Sequence, residues 1–270
     1  MSLPKPEADD TVVITGASSG IGTELARLVG ARGHGLTLVA RRVERLEELA
    51  EELRLAYGVR AQALPCDVGD QDDRAALIGK LRSSRENVVG VCNNAGFGSY
   101  GRFHELSLER EQEMVRVNVE AVHELSGAFL DGMVERGAGA ILNVGSIAGF
   151  QPDTGFATYG ATKAFVIAFS EALSADLAGT GVSCTVLCPG PVRTEFSAVA
   201  GVEDLEEQAP GPFTVEAEEV ARQGLEGMVK GRRSVIPGLS TKAIATGGRF
   251  VPRTVLLPLS RQVVRSRRRG

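Results

Sequence analysis

Residues 11–22 read Thr-Val-Val-Ile-Thr-Gly-Ala-Ser-Ser-Gly-Ile-Gly, and this stretch decides the fold. The β-branched run 11–15 predicts a buried strand, and a helical stretch begins at Gly20. A glycine-rich turn between a strand and a helix lets backbone N–H groups and the positive end of the helix dipole face an anion. The stretch therefore predicts a phosphate-binding turn, whose residues are Gly16, Ser18, Ser19, Gly20, Ile21 and Gly22.

The same turn also fits a second pattern, the Gly-x-Ser-x-Gly elbow that carries the nucleophile of hydrolases. A hydrolase would need an acid and a histidine further along the chain, and the three histidines are His34, His104 and His123. None of them follows a late strand, where a triad histidine usually falls, and the elbow normally follows several strands rather than the first. The phosphate-binding turn is the favoured interpretation.

Short apolar runs alternate with helical stretches outward from this turn. Strands are predicted at 11–15, 36–40, 61–65, 88–92, 140–144, 183–188 and 234–236, and helices at 20–32, 43–56, 71–84, 108–136, 158–177 and 215–230. Strands that are apolar almost throughout indicate a parallel sheet covered by helices on both faces. The prediction is an α/β fold, a doubly wound, Rossmann-type parallel sheet of roughly seven strands. It forms one domain over 1–240, with a basic extension of that domain over 241–270.

Composition excludes several classes of protein. The chain has 270 residues, of which 43% are hydrophobic and 24% charged, so wholesale disorder is excluded. No charge-free run reaches the roughly 18–20 apolar residues of a membrane span. The N-terminus also lacks a basic segment followed by an apolar one, so no secretory signal is predicted. We expect a soluble, cytoplasmic protein.

The four cysteines point in the same direction. Cys184 and Cys188 lie on one predicted strand, about 13 Å apart, which is too far for a disulfide. Cys66 and Cys92 end other strand-like runs. Because no histidine stands at ligand spacing, buried reduced thiols are predicted and no metal site is.

Charge is distributed unevenly along the chain. The net charge is −4, yet residues 227–270 hold eleven Lys and Arg and no acidic residue, which leaves 19 basic and 34 acidic residues in the rest. A solvated tail that partly docks on its own acidic domain is favoured. Weak contact with a membrane surface is the alternative, because residues 250–259 place apolar side chains beside the charges. No nucleic-acid-binding motif is present.

The end of the second predicted strand bears on which cofactor binds. A dinucleotide fold that prefers NAD places an acid there to bind the adenosine 2′-hydroxyl. Here Arg41 and Arg42 follow Ala40 instead. Guanidinium groups bind a 2′-phosphate bidentately, so NADP is predicted over NAD. The alternative is that both arginines only begin the next helix.

Several motifs in order make this chain resemble the classical short-chain dehydrogenase/reductase family, over 11–194. The resemblance implies further cofactor residues and a catalytic tetrad. The implied cofactor residues are Asp67 and Val68 at the adenine, Asn94, Ala95 and Gly96 after the fourth strand, and Pro189, Gly190, Val192 and Thr194 at the nicotinamide carboxamide. The implied tetrad is Asn118, Ser146, Tyr159 and Lys163, with Tyr159 and Lys163 also contacting the cofactor. By the same resemblance, Lys163 holds the nicotinamide ribose and Asn118 supports a water in a proton relay.

The chemistry of the predicted tetrad can be argued from the residues themselves. Tyr159 and Lys163 are four residues apart, so they share one face of a helix. A phenol has a pKa near 10, and a nearby ammonium together with oxidised nicotinamide favours the phenolate. The Ser146 hydroxyl follows the fifth strand and can donate to a substrate carbonyl oxygen.

We therefore expect an NADP(H)-dependent oxidoreductase that transfers a hydride reversibly between the nicotinamide and a carbonyl or secondary alcohol, with Tyr159 as general acid and base. The alternative is a cofactor-sensing or scaffold protein on the same fold. Residues 97–103 and 196–213 are expected to set specificity for a medium-sized, partly apolar small molecule. The resemblance implies a homodimer or homotetramer, and Phe165, Phe169 and Leu173 could serve that contact or simply pack on the sheet.

Overall fold

A parallel seven-stranded sheet forms the centre of the molecule. The computed structural model describes residues 3–201 and 215–248, together with 251, 253–254 and 256–258. The strands lie in the order β3-β2-β1-β4-β5-β6-β7, and every pairing is parallel. Their bounds are β1 (Asp10–Thr15), β2 (Gly35–Ala40), β3 (Ala61–Pro65), β4 (Asn87–Asn93), β5 (Gly139–Val144), β6 (Val182–Leu187) and β7 (Ser234–Val235).

Helices cover both faces of this sheet. They are α1 (Gly20–Ala31), α2 (Val43–Tyr57), α3 (Gln71–Ser83), α4 (Leu108–Val115), α5 (Ala121–Ala128), α6 (Leu130–Arg136), α7 (Ala157–Asp176), α8 (Phe196–Ala200), α9 (Ala217–Val229) and α10 (Leu239–Gly248). One apolar core lies under α1, α2 and α9, and a second lies under α3, α5 and α6. The predicted doubly wound α/β fold is confirmed.

Local sequence signals account for where several helices begin and end. Asp70 caps α3, because its carboxylate accepts the backbone N–H groups of Asp72 (2.9 Å) and Asp73 (3.0 Å). Helix α2 ends at Gly58, whose φ of +66° is readily reached only by glycine. Apart from one helix, the predicted elements match the observed ones to within about two residues at each end.

The exception is the single helix predicted over 108–136, which was wrong. The chain there forms α4, a π-helical turn over Arg116–Glu120, then α5 and α6. The break before α6 falls at Phe129, whose backbone (φ −118°, ψ 3°) leaves the helical region while its ring is buried in the second core. Burial of this ring in the second core accompanies the break, which the helical periodicity of the sequence does not show.

A buried polar network joins the middle of the sheet to two helices. The Asn93 amide on β4 donates to Ser126 Oγ on α5 (3.0 Å) and to Asn143 Oδ1 on β5 (2.8 Å). The Asn143 amide donates in turn to Ser170 Oγ on α7 (2.9 Å). All four side chains are at most 2% exposed. The network fixes α5 and α7 relative to the strand ends at which the cleft opens.

The strand order also places the predicted motifs at one edge. Strand β1 lies between β2 and β4, so the direction in which the chain adds strands reverses at β1. Ligands of such sheets bind at the carboxyl ends of the strands, where the order reverses. The segments that follow β1, β4, β5 and β6 meet there.

The remaining predictions about the chain as a whole have mixed outcomes. All four cysteines are free and buried, as expected. No described helix is long and apolar enough to cross a membrane. Helix α10 begins just before the predicted extension, with Thr241 and Ala245 buried. Residues 249–250, 252, 255 and 259–270 of the predicted extension lie outside the described residues, so the division at residue 240 stays a prediction.

Candidate active site

The glycine turn after β1 packs too closely for any side chain at its key positions. Gly16 and Gly20 have φ of +65° and +55°, which favour glycine. A Cβ on Gly22 would lie 2.3 Å from the Gly16 carbonyl oxygen and 2.5 Å from Asn94 Nδ2. Gly22 therefore lets the first turn of α1 lie against the loop and leaves the loop's outer side open to a ligand.

Hydrogen bonds join this turn to the segment after β4. The Thr15 hydroxyl oxygen accepts the backbone N–H groups of Asn94 and Ala95, each at 3.0 Å. The Asn94 amide donates to the carbonyl oxygens of Thr15 (3.0 Å) and Gly16 (3.2 Å). The two predicted cofactor segments are thus one rigid unit.

A cleft of about 760 Å³ runs along this edge of the sheet. Almost every residue predicted for the site lines it: Gly16, Ser18, Ser19, Gly20, Ile21, Arg41, Arg42, Asp67, Val68, Asn94, Ala95, Gly96, Ser146, Tyr159, Lys163, Pro189, Gly190, Val192 and Thr194. Gly22 and Asn118 do not line it but lie behind its wall. These two residues support the loops that line the cleft and do not themselves line it.

Tyr159, Lys163 and Ser146 meet at one end of the cleft. Tyr159 and Lys163 lie on α7 and are 8% and 5% exposed. The Lys163 ammonium donates to the Val144 carbonyl oxygen at 2.8 Å and lies 5.8 Å from the centre of the Tyr159 ring. Ser146 caps a 3₁₀ turn over Ile147–Gly149, where its Oγ accepts the Ala148 N–H at 3.1 Å. Parallel-strand geometry thus brings the three groups together.

Gly149, which sequence reasoning did not single out, allows this convergence. A Cβ there would lie 2.6 Å from the Lys163 carbonyl carbon and 2.7 Å from the Ala164 nitrogen. The 3₁₀ turn that Ser146 begins therefore packs directly on the backbone of α7. A glycine three residues after the predicted serine was the available signal.

Burial shifts the pKa values of Tyr159 and Lys163 in opposite directions. Burial raises the pKa of Tyr159 to about 12, and a hydrogen bond with the Ser146 side chain only partly offsets this. Burial lowers the pKa of Lys163 to about 8. For the chain by itself, loss of solvation raises the Tyr159 pKa, and the expected lowering by the ammonium together with oxidised nicotinamide stays a prediction. At neutral pH the phenol is protonated.

Asn118 lies in the π-helical turn and is fully buried. Its amide donates to the Phe97 carbonyl oxygen (2.9 Å) and to Thr162 Oγ1 (3.1 Å), and its Oδ1 accepts the Phe97 N–H (3.2 Å). Both amide protons are therefore used within the protein. The side chain fixes the loop after Gly96 against α7, and the proton relay through a water stays a prediction.

The far end of the cleft holds exposed arginines with carboxylate partners. Arg41 lies between Asp67 (3.6 Å) and Glu113 (3.5 Å), with 67% of its side chain exposed. Arg42 donates through Nε (3.2 Å) and Nη2 (3.0 Å) to Ser18 Oγ. The glycine turn and Arg42 are therefore joined directly.

Sequence reasoning did not single out two of the lining residues, Phe156 and Arg110. The ring of Phe156 lies 5.7 Å from that of Tyr159, and Tyr100 packs on Phe156 at 4.9 Å. Phe196, in a segment expected to set specificity, lies 5.4 Å from Tyr159 on another side. Arg110 also lines the cleft, over the Phe97 ring. Phe156, three residues before Tyr159, could have been found from helical spacing.

The hydrolase alternative finds no support in this geometry. His34 is buried and contacts the Pro4 carbonyl oxygen, His104 is exposed beside Glu105, and His123 packs on Phe169. None of the three lines the cleft. The Ser18 hydroxyl contacts Arg42 and has no base beside it in the described structure.

Comparison with known proteins decides the family. The model of the short chain dehydrogenase family matches residues 10–204. The chain belongs to this family. The expected resemblance and fold are confirmed, and this dehydrogenase carries the family's pattern on a complete seven-stranded sheet.

Relatives of the dehydrogenase are reductases and dehydrogenases. A sulfoacetaldehyde reductase of Chromohalobacter salexigens is 40% identical over 219 residues, 79% of this chain and 86% of the relative. The NADP-dependent 3-hydroxy acid dehydrogenase YdfG of Escherichia coli O6:H1 is 38% identical over 190 residues, 70% and 75% of the two chains. A Sphingobium yanoikuyae short-chain dehydrogenase, solved with NADPH, is 35% identical, with a TM-score of 0.80 over 95% of both chains.

Proposed function

We propose that Tyr159, Ser146 and Lys163 form the proton-transfer site of a carbonyl reductase. The chain is an NADP-dependent oxidoreductase that interconverts carbonyl groups and alcohols, as its family membership and NADP-dependent relatives indicate. One observation carries the proposal for the residues. The protonated Tyr159 phenol hydrogen-bonds with Ser146 and lies beside Lys163, in the cleft that begins at the glycine turn.

Tyr159 serves as the acid in the direction of reduction. Its pKa of about 12 keeps the proton on the phenol, ready for transfer to the substrate oxygen. The Ser146 hydroxyl donates to the same oxygen and stabilises the negative charge that builds there. Lys163, held by the Val144 carbonyl oxygen, favours the phenolate that remains.

The cradle fits NADP(H), which supplies or accepts the hydride when bound. Gly16, Gly20 and Gly22 leave no room for side chains, which lets backbone N–H groups approach a pyrophosphate. Arg41 and Arg42 hold the 2′-phosphate beside Ser18. The proposed adenine contacts are Asp67 and Val68, followed along the cleft by Asn94, Ala95 and Gly96, with Pro189, Gly190, Val192 and Thr194 at the carboxamide.

The substrate end of the cleft favours a medium-sized, partly apolar carbonyl compound. Phe97, Phe156 and Phe196 line it near Tyr159. Aromatic rings contribute large apolar area with few rotatable bonds, so they hold a substrate carbon chain while Ser146 and Tyr159 hold its oxygen. Residues 202–213 of the expected specificity segment lie outside the described residues.

The outer face of α7 suits a contact between copies of the chain. Phe165 is 38% exposed and stacks on Phe169 at 5.7 Å, and Phe169 packs on His123 of α5. Paired aromatic rings at a surface are typical of interfaces. We expect a homodimer or homotetramer through this face, in the cytoplasm, where buried thiols stay reduced. A Phe165→Asp variant that stays oligomeric by light scattering would contradict this interface.

Two experiments test the function. Because the chain has no Trp, nicotinamide fluorescence can be titrated with NADPH and separately with NADH. We expect tighter binding of NADPH, and equal or weaker binding would remove the role of Arg41 and Arg42. Oxidation of NADPH is then followed with a panel of aldehydes and ketones. Tight NADPH binding without turnover of any member would favour a cofactor sensor or scaffold instead.

A further inference from the structure

Two arginines of α2 hold one carboxylate from the other side of the cleft. Arg42 Nη1 donates to Glu195 Oε2 and Arg45 Nη1 donates to Glu195 Oε1, each at 2.7 Å. Arg42 and Arg45 stand at the start of α2, whereas Glu195 directly precedes α8. The two contacts span 153 and 150 residues of sequence. This group is named the Glu195 clamp.

The Glu195 clamp has the form of a phosphate site. Two guanidinium groups converge on one planar anion, and Arg42 is itself oriented by Ser18 Oγ through two nitrogens. Arg42, Ser18 and Glu195 all line the cleft. Each arginine donates one hydrogen bond to a different oxygen of the carboxylate, and guanidinium N–H groups bind phosphate oxygens as they bind carboxylate oxygens. An anion that carries more charge and more oxygen atoms can therefore replace the carboxylate.

Arg41 offers a weaker site by comparison. Its ion pairs with Asp67 and Glu113 are 3.6 Å and 3.5 Å long, and no hydrogen bond to either is formed among the described residues. The pairs in the Glu195 clamp are shorter, and they lower the pKa of Glu195, with Arg45 as the largest cause. The clamp is the better-built anion site at this end of the cleft.

We propose that the Glu195 carboxylate occupies the position of the cofactor's 2′-phosphate in the chain alone, and that the two anions compete for Arg42 and Arg45. The inference rests on the proposed function in assigning the 2′-phosphate to Arg42. It adds two specificity-determining residues, Arg45 and Glu195. Arg45 is a further phosphate arginine, and Glu195 weakens the binding of NADP(H) but not of NAD(H).

The position of Glu195 gives this competition a consequence for the substrate end. Thr194 and Phe196 flank it, with the Phe196 N–H donating to Thr194 Oγ1 at 3.2 Å. Thr194 packs against Gly20 of the glycine turn, and Phe196 packs against Tyr159. A phosphate that displaces the Glu195 carboxylate therefore releases the residue that lies between Thr194, at the proposed cofactor site, and Phe196, at the proposed substrate site.

The test uses two adenosine fragments that differ only in the 2′-phosphate. Adenosine 2′,5′-bisphosphate and adenosine 5′-monophosphate are titrated by calorimetry into the wild type and a Glu195→Gln variant. Glutamine keeps the shape of the side chain but removes its charge. We expect about three- to fivefold tighter binding of the bisphosphate, the scale of an exposed ion pair, and unchanged binding of the monophosphate.

Glu52→Gln is the matched control. Arg27 of α1 holds Glu52 of α2 through two hydrogen bonds (2.7 Å and 3.0 Å), and neither residue lines the cleft. This variant makes the same charge change and should bind both fragments as the wild type does. If Glu52→Gln tightens the binding of the bisphosphate as much as Glu195→Gln does, the effect comes from the net charge of the protein alone, and the proposal is overturned.

Two further variants give the competition a sharper signature. Arg45→Gln should weaken the bisphosphate alone. In an Arg42→Ala/Arg45→Gln background, Glu195→Gln should not tighten bisphosphate binding, because neither arginine of the Glu195 clamp is left to be released. If Glu195→Gln binds both fragments more weakly than the wild type does, Glu195 only stabilises the structure of the site, and the proposal is overturned. Unchanged binding of the bisphosphate would overturn it as well.

The fragment assay separates this inference from the proposed reaction. Fragment binding needs neither a carbonyl substrate nor the tyrosine. If no carbonyl in the panel is reduced but Glu195→Gln tightens the bisphosphate alone, the reductase proposal fails and the competition stands. If the wild type binds both fragments equally, the phosphate assignment fails, and the competition fails with it.

Discussion

The two ends of the cleft differ in how their charged groups are held. At the catalytic end, Tyr159 and Lys163 are nearly buried, and packing shifts both pKa values. At the phosphate end, the Arg41 and Arg42 side chains are 67% and 42% exposed and keep carboxylate partners. Buried groups have one arrangement, because any other costs solvation, whereas exposed ion pairs are weak enough to exchange. The proposed proton-transfer site therefore has a fixed arrangement, whereas the contacts at the proposed phosphate site can be replaced.

The largest effect is expected from removing the proton at the buried end. Tyr159→Phe keeps the ring against Phe156 and Phe196 but removes the hydroxyl, so kcat should fall by about a thousandfold. Steady-state kinetics with the best carbonyl substrate measures the loss, and NADPH titration should show unchanged affinity. Turnover near that of the wild type would remove Tyr159 from the reaction.

The next effect tests the packing under the glycine turn. Gly22→Ala places a methyl group against the Gly16 carbonyl oxygen, so unfolding free energy should fall by about 1–3 kcal/mol and NADPH binding should be lost. Gly79→Ala on α3 is the control, since its Cβ meets nothing within 4 Å. The control should gain up to about 1 kcal/mol. Urea titration compares them, and equal stability of the two variants would contradict the close packing.

A smaller effect is expected at the exposed end. Arg42→Ala should weaken NADPH binding by about tenfold through loss of a charged hydrogen bond and leave NADH binding unchanged. Arg41→Ala should shift the preference toward NADH by less, because Arg41 makes only longer ion pairs. Added salt should shrink both effects. If Arg41→Ala weakens NADPH binding more than Arg42→Ala does in fluorescence titrations, then Arg41 and not Arg42 is the main contact of the 2′-phosphate.

The smallest effect concerns the protonation of Lys163. Its folded pKa of about 8 lies below the ordinary 10.5, so between these values the unfolded chain binds more protons and stability rises with pH. From pH 7 to pH 9 the wild type should gain about 1 kcal/mol relative to Lys163→Met. Urea titrations at both pH values measure this difference. Tyr159 does not interfere, because its raised pKa affects stability only above about pH 10. A difference that does not change with pH would mean that Lys163 is solvated.

The sequence predicts the parts of the site that depend on local pattern. The strand, glycine turn and helix of 11–32 need only short-range signals, and the Tyr159–Lys163 pair needs only helical spacing. The order of the strand-end motifs then places Ser146 beside them. These features follow from periodicity and from the parallel-strand rule.

The features that escaped prediction depend on contacts distant in sequence. Glu195 meets Arg42 across 153 residues, and no local pattern records such a pair. The raised pKa of Tyr159 depends on how deeply α7 is buried. Phe129 leaves the helical region and is buried in the second core, against the helical periodicity around it.

The polar network of Asn93, Ser126, Asn143 and Ser170 bears on how this protein can be altered. Asn143 bonds the other three members, so replacing it by an aliphatic residue removes a partner from each of them in the buried interior, which costs more than the lost bonds themselves. In directed evolution toward new substrates, we therefore expect folding to tolerate substitutions at Phe97, Phe156 and α8 but not at these four residues. New substrate specificities are then expected from substitutions at the substrate end of the cleft and not from substitutions inside the sheet.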